Sequence, residues 1–77
     1  MELEIVDLGL DELESLRLAD QLGFSQAKAA KEMNISQPTF NRILSSARKK
    51  VADCLVGGKA IKIEEKEDAK KKKKKER

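Results

Sequence analysis

The segment Ser25 to Arg48, SQAKAAKEMNISQPTFNRILSSAR, constrains the fold of this chain most. Ser25 and Ser36 each precede a helix-forming stretch, where a serine hydroxyl can accept from a backbone N–H that the helix leaves unpaired. Asn34 stands between the two stretches and can adopt the left-handed conformation that ends a helix. Pro38 falls in the first turn of the second stretch, where its missing N–H is not needed. The segment therefore predicts two helices joined by a tight corner.

Small and apolar residues recur in this segment at the spacing of a helix-turn-helix. The motif needs a small residue where its helices cross and a positive backbone angle at the corner. Asn34 stands where such motifs usually carry glycine. An ordinary helical hairpin in a three-helix domain would share part of this pattern. The charge distribution therefore has to distinguish such a hairpin from a DNA-binding helix-turn-helix. The residues concerned are Ala29, Ala30, Met33, Ile35, Phe40 and Ile43.

Apolar periodicity along the whole chain predicts a mostly α fold, three helices with a short extended or strand-like arm at each end. The first helix carries leucines on more than one side, so we expect the other helices to surround most of it. Glycines end the first and third helices. The predicted elements are the arm Glu2 to Leu8, helices from Leu10 to Leu22, Gln26 to Met33 and Gln37 to about Val56, and the arm Lys59 to Ile63.

The two arms are expected to pair, either within one chain or across a dimer. Because an isolated pair of strands is marginally stable, the pairing needs packing on the helices or a second subunit. The contacts we predict are Lys62 near Glu4, and Ile61 and Ile63 against Leu3 and Ile5.

Residues 1 to 63 form the predicted folded domain, and residues 64 to 77 a charged tail. The tail has one apolar residue, Ala69, and includes six consecutive lysines, Lys70 to Lys75. Such a composition cannot bury a core and predicts disorder. The lysines would either attract nucleic acid without sequence preference or keep the chain in solution.

The residue types present exclude several classes of function. The chain has no histidine, and Cys54 is its one cysteine, which we expect to be a small buried hydrophobe. Zinc sites of cysteine and histidine and catalytic triads that need histidine are excluded. We therefore predict no enzymatic activity, no cofactor and no metal. The short apolar runs and acidic N-terminus predict a cytoplasmic protein without membrane association. If the chain binds DNA, it would be nucleoid-associated.

Charge is divided sharply along the sequence. Residues 1 to 27 carry seven acids and one base, whereas residues 28 to 63 carry eight bases and two acids. A polyanion would therefore meet the second half of the chain and avoid the first. This asymmetry favours a DNA-binding helix-turn-helix over a plain helical hairpin.

The third predicted helix presents side chains that suit a major groove once Phe40 points inward. Arginine can pair with guanine, glutamine or asparagine with adenine, and lysines and small hydroxyls with phosphate. The predicted base contacts are Gln37, Pro38, Thr39, Asn41, Arg42 and Ser45. The predicted phosphate contacts are Ser25, Lys28, Lys31, Ser36, Ser46, Arg48, Lys49 and Lys50.

The segments DELESLRLAD, SQPTFNRILSSARKKVADCLV and GKAIKI, within residues 10 to 63, carry a resemblance to a known family. The chain resembles a family of small, uncharacterised prokaryotic predicted DNA-binding proteins whose helix-turn-helix is similar to region 4 of sigma-70-type factors. The resemblance implies a transcriptional regulator. Family members carry a further basic, proline-containing segment before the first arm and lack the lysine run. This chain would then be a short or trimmed version without the contacts of that segment.

The sequence is also compatible with two other functions. A protein-interaction module could use the sigma-like helices to dock on RNA polymerase or another partner, with DNA contact incidental. RNA binding is the weaker alternative, because the two aromatic residues, Phe24 and Phe40, are expected to be buried and unavailable for base stacking. We predict double-stranded DNA as the main partner and a homodimer as the binding form.

Overall fold

A computed structural model of the chain describes residues 2–64 and places three helices beside a two-stranded sheet. The prediction of a mostly helical fold with strand-like ends is confirmed. The predicted tail, apart from Glu64, lies outside the described residues. The elements are β1 (Ile5–Leu8), α1 (Leu10–Leu16), a π-helical segment (Arg17–Gln21), α2 (Gln26–Glu32), α3 (Gln37–Gly57) and β2 (Ala60–Ile63).

The core lies where the helices meet, and Phe40 is fully enclosed within it. Helical spacing puts Phe40, Leu44 and Ala47 on one face of α3, and all three are buried there. Alanines at the inner face of α2 allow its backbone to approach α3 closely. Cys54 is buried and unpaired, as expected. The central cluster comprises Leu18, Ala29, Ala30, Phe40 and Leu44, with Leu16, Ala19, Phe24, Met33 and Ile35 packed against it.

The two strands pair within one chain and run parallel. Val6 lies opposite Ile61, Asp7 opposite Lys62, and Leu8 opposite Ile63, so the predicted partners Leu3, Ile5 and Glu4 are wrong. A one-residue change in register moves every side chain of a strand to the other face of the sheet. Leu8 is 3% exposed, so the face of the sheet that carries Leu8 is turned toward the helices. The observed register puts Ile61 and Ile63 on that same face, whereas a one-residue change would move them to the other face.

The first helix differs from the prediction in shape and in its buried face. It changes from α to π geometry at Arg17, and Leu22 N–H donates to Arg17 O at 2.8 Å. Its buried residues include Glu12 and Ser15, whereas Leu13 and Leu22 are 37% and 49% exposed. The expectation that neighbours surround its leucines is therefore wrong for Leu13 and Leu22, whereas Leu18 is buried in the core. Polar contacts of Glu12 with Ser46 and Lys50 of α3 help to decide which face turns inward.

Among residues 2–64, no helix is long and apolar enough to cross a membrane.

Candidate nucleic-acid interface

The corner between α2 and α3 has the geometry that the sequence predicts. Asn34 has φ of 60°, the one left-handed non-glycine residue among residues 2–64. Its N–H donates to Lys31 O, and the N–H of Ile35 donates to Ala30 O, each at 3.0 Å. These two bonds satisfy carbonyls that the end of α2 would otherwise leave unpaired, and Ile35 packs on the core beside them. The corner therefore holds the two helices at a defined angle.

Both predicted helix caps are present. Ser25 Oγ accepts from Lys28 N–H at 3.1 Å, and Ser36 Oγ accepts from Thr39 N–H at 3.2 Å. Ser36 also donates its hydroxyl proton to Thr39 Oγ1 at 2.9 Å. The hydroxyl proton of Thr39 then remains available to a ligand in front of the helix N-terminus, whereas that of Ser36 is already used.

The outward face of α3 is exposed along most of its length. Pro38, Arg42, Ser45 and Lys49 are all exposed, as the inward position of Phe40 predicts. At 1.5 Å per residue these four positions extend about 16 Å along the helix axis. Gln37 is exposed at the N-terminal end of the same helix.

Asn41 and Thr39 are less accessible than the other predicted base contacts. Asn41 is half-buried, and its Oδ1 is buried without a hydrogen-bond partner among residues 2–64. Thr39 is half-buried as well. A DNA base could therefore reach Asn41 only from its amide nitrogen side, since the oxygen faces the protein.

Apart from the capping serines Ser25 and Ser36, the predicted phosphate contacts divide into two groups. Lys28, Lys31 and Lys49 are exposed, and no acid of residues 2–64 forms an ion pair with them; Arg42 on the same side is likewise without one. The ammonium of Lys28 lies 4.1 Å from the centre of the Phe24 ring. These cations can therefore approach a polyanion without first breaking an internal ion pair.

Ser46, Arg48 and Lys50 form the other group, because each has a partner in the acidic first helix. Arg48 donates to both carboxylate oxygens of Asp20, at 2.6 and 3.1 Å. Hydrogen bonding by Arg48 lowers the pKa of Asp20 and, reciprocally, raises that of Arg48. Phosphate binding by this group has to compete with bonds inside the chain.

Glu12 is the residue that joins α1, β1 and α3. Its carboxylate is nearly buried and accepts from the Gly9 backbone N–H at 2.8 Å, Ser46 Oγ at 2.6 Å and Lys50 Nζ at 2.8 Å. Burial acts to raise the pKa of Glu12, but the hydrogen bonds and the charge of Lys50 outweigh it and lower the pKa from 4.5. Lys50 also donates to Asp7 O at 2.9 Å.

Glu12 is not among the site residues that the sequence predicts. A local signal was present, since a glutamate three residues after a helix cap often returns to the cap N–H. Its bonds to Ser46 and Lys50 span more than thirty residues of sequence and leave no such pattern. The structure therefore gives Ser46 and Lys50 a role in fixing α3 against α1.

The chain is similar to proteins from several bacteria. It is 60% identical over 62 residues to a UPF0251 protein of Dehalococcoides mccartyi, covering 80% of this chain and 53% of the relative. It is 57% identical over 63 residues to a UPF0251 protein of Moorella thermoacetica, covering 82% of this chain and 42% of the relative. The chain thus spans about half the length, or less, of these relatives. No solved structure matches it.

Residues 1–71 match the model of the family described as "Protein of unknown function DUF134". This match confirms the predicted membership of a small prokaryotic family, while the likeness to sigma region 4 and to DNA-binding proteins stays a prediction. The chain belongs to the DUF134 family.

Proposed function

We propose that this protein binds double-stranded DNA in a sequence-specific manner and regulates transcription by occupying its site. In this proposal α3 enters the major groove with Arg42 toward the bases, and α2 lies across the backbone. The mode of action is binding alone, without chemistry of its own.

One observation carries the proposal: of the five exposed cations that form no ion pair among residues 2–64, four lie on α2 and α3. Lys28 and Lys31 lie on α2, and Arg42 and Lys49 lie on the outward face of α3. Seven of the acids precede α2 in the sequence, and those nearest α3, Glu12 and Asp20, are already paired with its inner cations. The resulting surface is positive where a helix can enter a groove and negative behind it.

The side chains divide by their expected role. Arg42 can pair with guanine O6 and N7, and Gln37 can pair with adenine N6 and N7. Thr39 can donate its hydroxyl proton near the helix N-terminus. Lys28, Lys31 and Lys49 neutralise phosphates, so they add affinity and salt dependence without reading sequence. Ser46, Arg48 and Lys50 are assigned a smaller part, because their partners lie within the chain.

Site selection from random duplex DNA, followed by mutagenesis, tests the proposal. Arg42→Ala should weaken binding to the selected site by about 1–3 kcal/mol and relax the preference at one base pair. Lys49→Ala should weaken binding to all duplexes alike and reduce the salt dependence by roughly one released counterion. Arg17→Ala is the matched control, since it removes a cation from the acidic first helix.

Three outcomes would contradict the proposal. One is that random DNA yields no preferred site. Another is that Arg42→Ala, Lys49→Ala and Arg17→Ala bind every duplex as the parent does. The third is that Arg17→Ala weakens binding as much as Lys49→Ala, which would place the DNA on the other side of the molecule.

The exposed leucines of the first helix favour a second candidate, docking on RNA polymerase or another protein. Leu13 and Leu22 are large apolar side chains left 37% and 49% exposed, and Leu16 is half-buried against the core. Retention on immobilised RNA polymerase after nuclease treatment, lost in Leu13→Lys, would support this function. Retention that disappears with the nuclease would show that DNA bridges the two.

A further inference from the structure

The two edges of the sheet are covered unequally. At the β1 edge, Lys50 Nζ donates to Asp7 O at 2.9 Å, so α3 occupies part of that edge. The other edge belongs to β2, which pairs with no strand of residues 2–64 other than β1. Residues 61–64 are all exposed. The β2 edge is therefore the open one, and an open edge is a template for another strand.

The hydrogen bonds between the strands show which backbone groups of β2 point outward. Ala60 N–H donates to Glu4 O at 2.9 Å, so the backbone groups of Ala60 face β1. Backbone groups of alternate residues in a strand point to opposite edges, so those of Ile61 and Ile63 point away from β1. The open edge therefore offers two N–H donors and two carbonyl acceptors to an added strand.

The side chains of the same two residues form a partly covered apolar surface. The register puts Ile61 and Ile63 on the face of the sheet that carries Leu8. Leu8 is 3% exposed there, whereas Ile61 is 41% and Ile63 is 45% exposed. The helices thus cover the β1 side of the apolar face and leave its β2 side open to apolar side chains of an added strand.

Lys62 lies between the two isoleucines and points to the opposite face of the sheet. Of the five exposed cations that form no ion pair among residues 2–64, Lys62 is the one outside α2 and α3. DNA binding by those two helices therefore does not account for its charge. A lysine at an edge disfavours strands that oppose it with a basic or apolar residue and favours a strand that opposes it with an acid.

We propose that the β2 edge binds an extended segment of another protein as a third, antiparallel strand, and that this segment carries an acidic residue between two apolar residues. The apolar residues lie opposite Ile61 and Ile63, and each exchanges two backbone hydrogen bonds with its partner. The acid then lies opposite Lys62 in a pair without backbone hydrogen bonds, where side chains approach most closely. Charge at this one position therefore selects the partner.

The strand β1 shows that β2 accepts this pattern. Residues 6–8, with the sequence VDL, lie opposite residues 61–63. A second copy of β2 fits less well. If Ile61 and Ile63 of each copy face Ile63 and Ile61 of the other, two Lys62 ammonium groups lie opposite each other, which is destabilising. The complement is therefore a strand of different sequence.

The contact is small, because β2 has four residues. It falls below a standard interface, so we expect weak and reversible binding. The third strand also widens a two-stranded sheet, which is marginal by itself. The inference goes beyond DNA binding, uses none of the predicted DNA contacts and is measured without DNA.

Titration of the isotope-labelled full chain with a synthetic peptide, followed by NMR, tests the proposal. The peptide Thr-Lys-Val-Asp-Leu-Thr, blocked at both ends, can place valine, aspartate and leucine opposite Ile63, Lys62 and Ile61. The amide resonances of Ile61 and Ile63 should shift most, because their N–H groups gain hydrogen bonds. The control peptide, with lysine in place of the aspartate, should bind about fivefold more weakly.

Two variants of the chain separate backbone pairing from charge. Ile63→Pro removes an outward N–H and puts a ring in its place, so it should abolish peptide binding while the inward bonds of β2 remain. Lys62→Glu should invert the preference and bind the lysine peptide about fivefold more tightly than the aspartate peptide. Lys49→Glu makes the same charge change on α3 and should keep the preference of the parent.

Several results would overturn the proposal. The aspartate peptide could fail to bind at millimolar concentrations, or both peptides could bind equally. Largest shifts at Val6 and Leu8 would mean that the peptide displaces β1, and shifts of β2 with protein concentration alone would put a second copy at the edge. Binding that survives in Ile63→Pro uses another surface. If circular dichroism shows that this variant loses the parent's fold, Lys62→Glu decides, and a preference that does not invert refutes the pairing.

Discussion

Replacing Glu12 by glutamine tests how the first helix is held against α3. The carboxylate accepts from the Gly9 N–H, the Ser46 hydroxyl and the Lys50 ammonium within 2.6–2.8 Å. Glutamine keeps the shape of the side chain but has no charge, and one of its two terminal groups is a donor. In the variant, the NH2 group would face one of the three donors whose hydrogen bonds the carboxylate accepts in the parent. The variant therefore removes the charge and at least one bond without leaving a cavity.

The size of the effect follows from the burial of Glu12. The residue is 8% exposed, so water cannot readily replace the lost acceptor. A hydrogen bond to a charged group contributes roughly 1.5–3 kcal/mol, and we expect a loss of about 2 kcal/mol in the free energy of unfolding. In a domain of this size each kilocalorie per mole shifts the melting temperature by about 4–8 °C. Glu12→Gln should therefore melt roughly 10 °C below the parent.

Thermal and urea unfolding followed by circular dichroism measure this loss. Glu14→Gln is the control, because it makes the same chemical change on the same helix. Glu14 pairs with Arg17 at 2.7 Å on an exposed surface, where ion pairs contribute little. If Glu12→Gln is no less stable than Glu14→Gln, the reasoning about the buried carboxylate is wrong.

The same network predicts a pH dependence. The pKa of Glu12 is lower in the folded chain than its ordinary value of 4.5, so the folded state favours the charged form. Its contribution to stability is complete well above pH 4.5 and is lost as the pH falls through the lowered folded pKa. The difference in unfolding free energy between the parent and Glu12→Gln should shrink over that interval. A difference that stays constant, or grows, on acidification would contradict the assignment.

Two further predictions concern the corner and the inner cations. Asn34→Val should destabilise the domain by about 1–2 kcal/mol, because a β-branched residue resists φ of 60°. In urea titrations, Asn34→Gly should unfold at nearly the same urea concentration as the parent. Arg48→Ala should weaken DNA binding less than Lys49→Ala in salt titrations, because Arg48 is bound to Asp20; an equal loss would show that DNA displaces that pair.

Local patterns in the sequence predicted much of the pair of helices α2 and α3 and the corner between them. Ser25 and Ser36 cap their helices as expected, because a cap depends on residues three positions apart. Asn34 takes the left-handed conformation at the corner for an equally local reason. Helical periodicity likewise predicted that Phe40 lies on the inward face of α3 and that Arg42 lies on the outward face. The DNA-binding role of that face remains a prediction.

The sequence by itself thus determined the helices, their corner and the separation of acidic from basic segments, since these depend on neighbouring residues. Tertiary structure decided the register of β1 on β2, the buried face of the first helix and the pairing of Glu12 with Lys50. Each of these depends on contacts between residues distant in sequence, whose side chains must satisfy packing and hydrogen bonding together. Lys49 and Lys50 are adjacent lysines in the sequence, yet only Lys50 is tied to the acidic helix, because the turn of α3 directs it toward Glu12.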